Sequence, residues 1–454
     1  MRMDVRTFNY EEVIFMSTTA ETAGAASGAS AGASAGSWKR DADILRPLAK
    51  KCAEIASLPL MRERRRRMTE NNDLAAGRPP VLIFELPWHE LNADGKLDLI
   101  CENGFARQLE WHLRSTLFQW EHFPGDMYVE PAYAIEKAIS WTGFGLNVIE
   151  EARHTDENGG IYSHYYADQL ANEGDVEKIK SPVITAFPEK DAENVALASE
   201  LLGGALGVEL RGYNLTFNPW DLITEYRGVT PVFVDLCDRP GHMHAIMDAL
   251  TNASIASAEQ MERLGLLECR NPYLHCTPSF TKAVPARPLG EGAPPRFSDI
   301  WLRATAQIFA EVSPAMHEEF DVQYCKRLAD RCALTYYGCC EPLHNKIEML
   351  KKNLGNLRKI GVTPWADEER CAEQIGCGYV FAKKPNPAHV AIKADPDVIR
   401  AETVKTIELC HKYGCPYEFA LKDISTVSYK LENLSVWDKT VRETLDAYYG
   451  KQGV

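Results

Sequence analysis

The chain has 454 residues, 45% of them hydrophobic and 25% charged, with a formal net charge of −14. That charge argues against a general binder of nucleic acid or anionic membrane, either of which would repel it, while leaving room for a local basic pocket. Thirteen cysteines without a short disulfide framework, no secretory leader pattern and no apolar run of about 18 residues point to a soluble cytoplasmic chain with free thiols.

Residues 18–36 are almost wholly Ala, Gly, Ser and Thr. Such a stretch buries too little apolar surface to offset its ordering entropy, so residues 1–37 are expected to be disordered, and Met16 is an alternative start. Residues 38–450 are expected to form the folded body. Apolar positions at helical spacing predict a helix over 41–57. The run Arg62–Arg67 reads as a solvated helix face partnered by Glu54, Glu63 and Glu70. Pro79-Pro80 stops that helix, and Val81–Leu86 reads as a buried strand. Residues 112–175, with Trp120, Trp141 and several glycines, are less regular and suggest an insertion or cap.

Further along, short apolar runs at Pro182–Ala186, Val208–Arg211, Leu266–Leu274, Ala333–Tyr337, Leu357–Val362, Tyr379–Ala382 and Tyr417–Leu421 read as strands. Helical patterns intervene at Pro240–Leu264, Ser298–Phe309, Asp321–Arg331, Leu343–Lys352, Ala366–Ile375 and Asp395–Lys412. Strands separated by helices imply parallel pairing through crossovers. About eight such units predict a (β/α)8 TIM-type barrel with an N-terminal helical extension. An open doubly wound sheet is the alternative, weakened by the lack of a Gly-rich dinucleotide fingerprint. The Pro/Gly-rich stretch Ala283–Arg296 resembles a long active-site loop.

In a barrel, catalytic groups come from strand carboxyl ends and the loops after them. That rule selects Glu85 and Trp88 after the first strand, His275-Cys276, the cluster Cys339-Cys340-Glu341 with His344, Trp365, the pair Lys383-Lys384 with Asn386, and Lys422-Asp423. Thiolate, carboxylate and imidazole are all zinc ligands, so Cys339, Cys340 and Glu341 with His275 form a candidate metal set. Buried wall cysteines are the plainer reading. Strand alternation places Tyr337, Cys339 and Glu341 on one face and Cys340 on the other. Trp88 and Trp365 could wall a flat or methylated ligand, or simply pack under loops. Of Lys383 and Lys384 only one need face outward, and the other could hold an anion in the mouth. Asp423 beside Lys422 offers an acid–base or an ion pair. His242 and His244 are rejected as a metal pair, because residues two apart on a helix diverge.

The order of these features resembles the uroporphyrinogen-decarboxylase superfamily over roughly residues 50–448. Met61–Arg67 followed by Ala76–Val81 is similar to its opening helix, linker and first strand. Phe217–Leu222 resembles its F-T-L-A helix entry, and Val234–Leu250 its acidic, proline-containing helix. Tyr337–Glu341 stands where the corrinoid-dependent methyltransferase branch has H-x-C-G-N, with Cys339 on the family cysteine, and Lys384–Pro387 stands where the family has G-N-x-D-P. The decarboxylases' M-R-Q-A-G-R-type signature is absent from residues 79–95.

The resemblance therefore implies methyl transfer between a small molecule and a corrinoid carried by a partner protein. It implies catalytic roles for Cys339, Glu341 and Asp423, substrate contacts from Glu85, Trp88, Trp365, Lys384, Asn386 and Lys422, and zinc at the cysteine cluster. Tyr337 replaces the family histidine, and no cysteine stands at Lys422-Asp423, so a zinc site would be rebuilt from other residues. Uroporphyrinogen decarboxylation and a non-catalytic barrel that binds a tetrapyrrole or a corrinoid protein are the alternatives. No nucleic-acid or membrane partner is expected, and a homodimer is allowed.

Overall fold

The computed structural model describes residues 35–154, 162–290 and 292–450. The N-terminal segment expected to be disordered lies outside these residues up to position 34; its last three residues open the helix Ala35–Ala56. A second helix, Pro59–Asn72, completes the helical extension. Its arginine run is only partly the solvated face expected. Arg66 pairs with Glu63 and Glu70. Arg64 instead is buried, and donates to the carbonyls of Met127 and Gly125 at 2.7 and 2.6 Å.

The body is built on parallel strands: β1 (Val81–Ile83), β2 (Ala132–Glu136), β3 (Gly207–Arg211), β4 (Leu215–Phe217), β5 (Trp301–Ala304), β6 (Leu334–Tyr337), β7 (Leu357–Val362), β8 (Val380–Lys383) and β9 (Tyr417–Leu421). Seven form one sheet in the order β1-β9-β8-β7-β6-β5-β4, and β2 pairs in parallel with β3. Only Gly212, Tyr213 and Asn214 separate β3 from β4, so one bent segment serves both sheets. A Cβ on Gly212 would lie 2.2 Å from the Leu266 carbonyl oxygen, which fixes glycine at the bend. Strand direction, order and crossover helices follow the expected α/β plan. Among the described residues, however, no ladder closes the ring between β1 and β2; Asp126 N–H donates to the Val81 carbonyl at 2.6 Å there instead.

The sheet is strongly curled. Lys422 follows β9 and Cys339 follows β6, three strand spacings away, or roughly 14 Å in a flat sheet. Their side chains meet at 3.3 Å. Inside the curl, Trp301, Leu334, Tyr336 and Ala382 pack with Leu274 and Val284. Strands such as β9 are buried at every position, which explains their unbroken apolar runs. The outer face carries the helices. Pro396–Tyr413 shows why they form where they do: the Asp395 side chain caps the N-terminus, Pro396 takes the first position, and Gly414 ends the helix at φ +72°.

Three sequence expectations are corrected here. Ser298–Phe309, read as a helix, contains β5; a strand buried on both faces loses the alternation that would have marked it. Leu266–Leu274 is no strand but a turn-rich segment that keeps two isolated bridges, Leu267 to Tyr213 and Tyr273 to Pro278. Pro182–Ala186 yields a strand, Ile184–Ala186, outside the main sheet and antiparallel to Ile139–Trp141. The irregular region 112–175 contains a helix end, the strand β2 and small antiparallel pieces.

Candidate active site

Three strand ends and one loop converge at one mouth of the curl: Glu85 after β1, Cys339–Glu341 after β6, Lys422-Asp423 after β9, and the turn carrying His275-Cys276. Glu85, His275 and Asp423 all adopt left-handed backbone, at φ +49°, +51° and +57°. Each such non-glycine residue costs on the order of 1–3 kcal/mol, and such strain concentrates where geometry serves function.

The bend after β6 sets the chemistry. Gly338 sits at φ +113° against Gly361, where a Cβ would come within 2.9 Å of Leu343. That turn breaks strand alternation, so the expected sharing of one face does not hold. Tyr337 points outward, bonded to His317 at 2.6 Å and Asp321 at 2.5 Å. Cys339 and Cys340 lie together, with their sulfurs 3.6 Å apart. Glu341 turns away from both sulfurs. It is 1% exposed and accepts from Thr305 Oγ1 at 2.8 Å, Ala306 N at 3.2 Å and Cys339 N at 2.9 Å. It positions the bend rather than contributing to the donor cluster.

Around Cys339 Sγ stand His275 Nε2 at 3.3 Å and Lys422 Nζ at 3.3 Å. Lys422 also lies 3.5 Å from Cys340 Sγ, 3.1 Å from Asp423 Oδ1 and 3.6 Å from Glu85 Oε2. Cys340 donates to Asp423 Oδ2 at 3.3 Å, and Cys276 to Glu85 Oε1 at 3.0 Å. The Cys340 thiol, then His275 and the charge of Arg303, hold the Cys339 thiol well below its usual range against the opposing effect of burial. These neighbours favour the anionic form of the Cys339 sulfur. Burial alone would neutralise Lys422, but the surrounding sulfur and carboxylate charges more than offset it and keep the ammonium charged. Burial and the Cys339 charge push the Glu341 carboxyl upward.

Donor atoms of Glu85, His275 and Cys276 lie within 4.8 Å of one another, and Cys339 Sγ adjoins the imidazole. The sulfur, nitrogen and carboxylate oxygen of that group are all zinc ligands, and Cys339 stands beside it through His275. The group differs from the set expected from sequence: Glu85 joins His275 and its neighbour Cys276, while Cys339, Cys340 and Glu341 lie outside it.

The remaining candidates separate. Lys384 turns inward, donating to the Cys276 carbonyl at 2.6 Å and lying 5.7 Å from the Tyr336 ring centroid. Its neighbour Lys383 turns outward to Glu368 and Glu402. With Asn386 and His389, Lys383 lines a separate cavity of about 380 Å³. Trp88 packs edge-on against Trp111 and Phe118 in the core, and Trp365 is 66% exposed. The structure brings none of Asn386, Trp88 and Trp365 into the sulfur cluster. Two groups near Cys339 were missed. Arg303 was hidden in the segment read as a helix. Asp221, in the Phe217–Leu222 stretch, accepts from Asn218 at 3.0 Å and Gln307 at 3.2 Å. Burial pushes its carboxyl up to about 6.

No protein-family model and no curated protein matches the chain. Among solved structures, a methyltransferase from Methanosarcina mazei is similar at 12% identity and a TM-score of 0.47, covering 85% of this chain and 99% of that one. No helix among the described residues is long and apolar enough to cross a membrane.

Proposed function

We propose that this chain is a methyltransferase of a corrinoid-dependent system, moving a methyl group between a small molecule and a corrinoid held by a partner protein. The observation that carries the reading is the buried Cys339 sulfur, with His275 Nε2 and Lys422 Nζ each 3.3 Å away. Transfer to or from a methyl carbon favours a soft, polarisable sulfur anion, and a sulfur anion away from water requires fixed cations and donors around it. Glu85, His275 and Cys276 would hold zinc beside Cys339, and the ion would keep an acceptor sulfur in its thiolate form.

The protein's own groups divide the remaining work. Lys422 supplies the positive charge at both cysteine sulfurs. Glu341 fixes the bend through the Cys339 backbone N–H. Glu85 accepts from both Cys276 and the Asp423 backbone, tying two strand ends together. Lys384, the inward lysine, donates across the mouth to the Cys276 carbonyl and so braces the site. Decarboxylation of a porphyrinogen would need several cations free to clamp carboxylates. Lys384 and Lys422 are both already engaged by protein groups.

The test uses methylcobalamin as the corrinoid and a small thiol as acceptor, following demethylation by absorbance. Wild type is expected to accelerate demethylation. Cys339→Ala is expected to lose at least about 100-fold, with a melting temperature nearly unchanged because the cavity left by one sulfur costs on the order of 1 kcal/mol. Early melting of Cys339→Ala with full activity per folded molecule would make the cysteine structural. Turnover of uroporphyrinogen by wild type, without a partner, would remove the methyl-transfer reading.

A further inference from the structure

Cys340 has a property that methyl transfer does not require. Its sulfur lies 3.6 Å from that of Cys339, its neighbour in sequence. Cys339 is 2% exposed whereas Cys340 is only partly buried, so a small oxidant reaches the pair from the Cys340 side. Lys422 Nζ donates to both sulfurs, at 3.3 and 3.5 Å, and so holds the two side chains together. Asp423 Oδ2, 3.3 Å from Cys340 Sγ, is an acceptor for the Cys340 proton.

We propose that Cys339 and Cys340 form an oxidative modification site, which small hydroperoxides convert to an intramolecular disulfide and thiols restore. The Cys339 sulfur attacks the distal peroxide oxygen. An S–O bond forms, the O–O bond breaks, and the departing oxygen leaves with a proton as water or alcohol. The Cys340 sulfur then attacks the sulfenic sulfur, forming S–S, breaking S–O and releasing water that carries the Cys340 proton. Two thiols and one hydroperoxide thus give a disulfide, water and one water or alcohol.

Adjacent Cα atoms are about 3.8 Å apart across a trans peptide, closer than the roughly 4.4–6.8 Å of ordinary disulfides. The bond is therefore strained and easily reduced, which makes it a reversible mark rather than a structural staple. Its formation takes the Cys339 sulfur out of the donor cluster. The inference rests on sulfur geometry and not on the identity of the substrate, so it stands or falls separately from methyl transfer.

The full-length protein is treated with hydrogen peroxide, its free thiols are alkylated, and the tryptic peptide Cys332–Lys346 is weighed. That peptide carries three cysteines: Cys332, Cys339 and Cys340. The expected product has lost two hydrogens and gained one alkyl group, and dithiothreitol pretreatment restores three alkyl groups. Cys332→Ser should keep the oxidation. Cys340→Ser should lose it and carry a sulfinic acid on Cys339 instead. A disulfide from Cys339 to Cys276 would overturn the proposal. So would an unmodified pair in wild type under conditions that oxidise the exposed Cys237 and Cys377.

Discussion

Replacing Lys422 with methionine removes the ammonium and keeps much of the side-chain volume. At 3.3 Å from Cys339 Sγ, that charge interacts with a thiolate by about 5 kcal/mol at an effective dielectric near 20. Glu85 and Asp423 share the same ammonium at 3.6 and 3.1 Å, and taking up protons would relieve part of the loss. If only about 1.4–2.8 kcal/mol survives that compensation, the Cys339 thiolate population falls roughly 10–100-fold at any pH on the acid side of its titration. The sign is fixed: a cation favours the anionic sulfur, so its removal moves the acid limb to higher pH. The assay is the rate of iodoacetamide labelling at Cys339, read by peptide mass against pH. Lys422→Met should shift the limb upward, and Lys422→Arg, which keeps the charge, should shift it little. Superimposable profiles for wild type and Lys422→Met would refute the view that Lys422 stabilises the thiolate.

Other outcomes follow from the same geometry. Lys359 is fully buried and bonds Glu418 and the Pro278 carbonyl at 2.8 and 2.9 Å; Lys359→Met should lose about 3–5 kcal/mol in urea unfolding, while pairing it with Glu418→Leu recovers most of that. Asp221 titrates near 6 in the folded chain, above its unfolded value near 3.9, so the stability it contributes is full at low pH and is lost as pH rises through 6. Asp221→Asn should remove up to about 2–3 kcal/mol of that decline between pH 4 and 7, measured by denaturant titration. Chelator-free wild type is expected to bind about one zinc per chain, and His275→Ala and Cys276→Ala should each weaken it about 10-fold or more in competition with a chromogenic chelator. Undiminished affinity in both variants would mean the donor set is wrong.

Local sequence determined a good part of the architecture. The apolar runs at β1, β6, β7, β8 and β9 were legible because strands buried on both faces are short, continuous and bounded by turn residues. The same property hid β5, whose Trp-Leu-Arg-Ala has no alternation and whose neighbours Ile300, Ile308 and Phe309 mimic helical spacing. Arg303 was lost with it. The strand-end rule picked out Glu85, Cys339, Lys384, Lys422 and Asp423, which the structure gathers at one mouth, and reached His275 through a strand that the structure lacks.

Which of those side chains meet was decided only by tertiary structure. Sequence could say that one of two consecutive lysines faces inward, but the register of β8 chose Lys384 and sent Lys383 to Glu368 and Glu402. It could place thiols and a carboxylate within three residues, but the turn at Gly338 set Cys339 beside Cys340 and turned Glu341 away to Thr305. It could not bring Glu85 to Cys276, 191 positions along the chain, nor Lys422 to Cys339. Side-chain pattern is a local property with a period of two or 3.6 residues. The distance between strand ends depends instead on how far the whole sheet curls, and that is set by the packing of every strand at once.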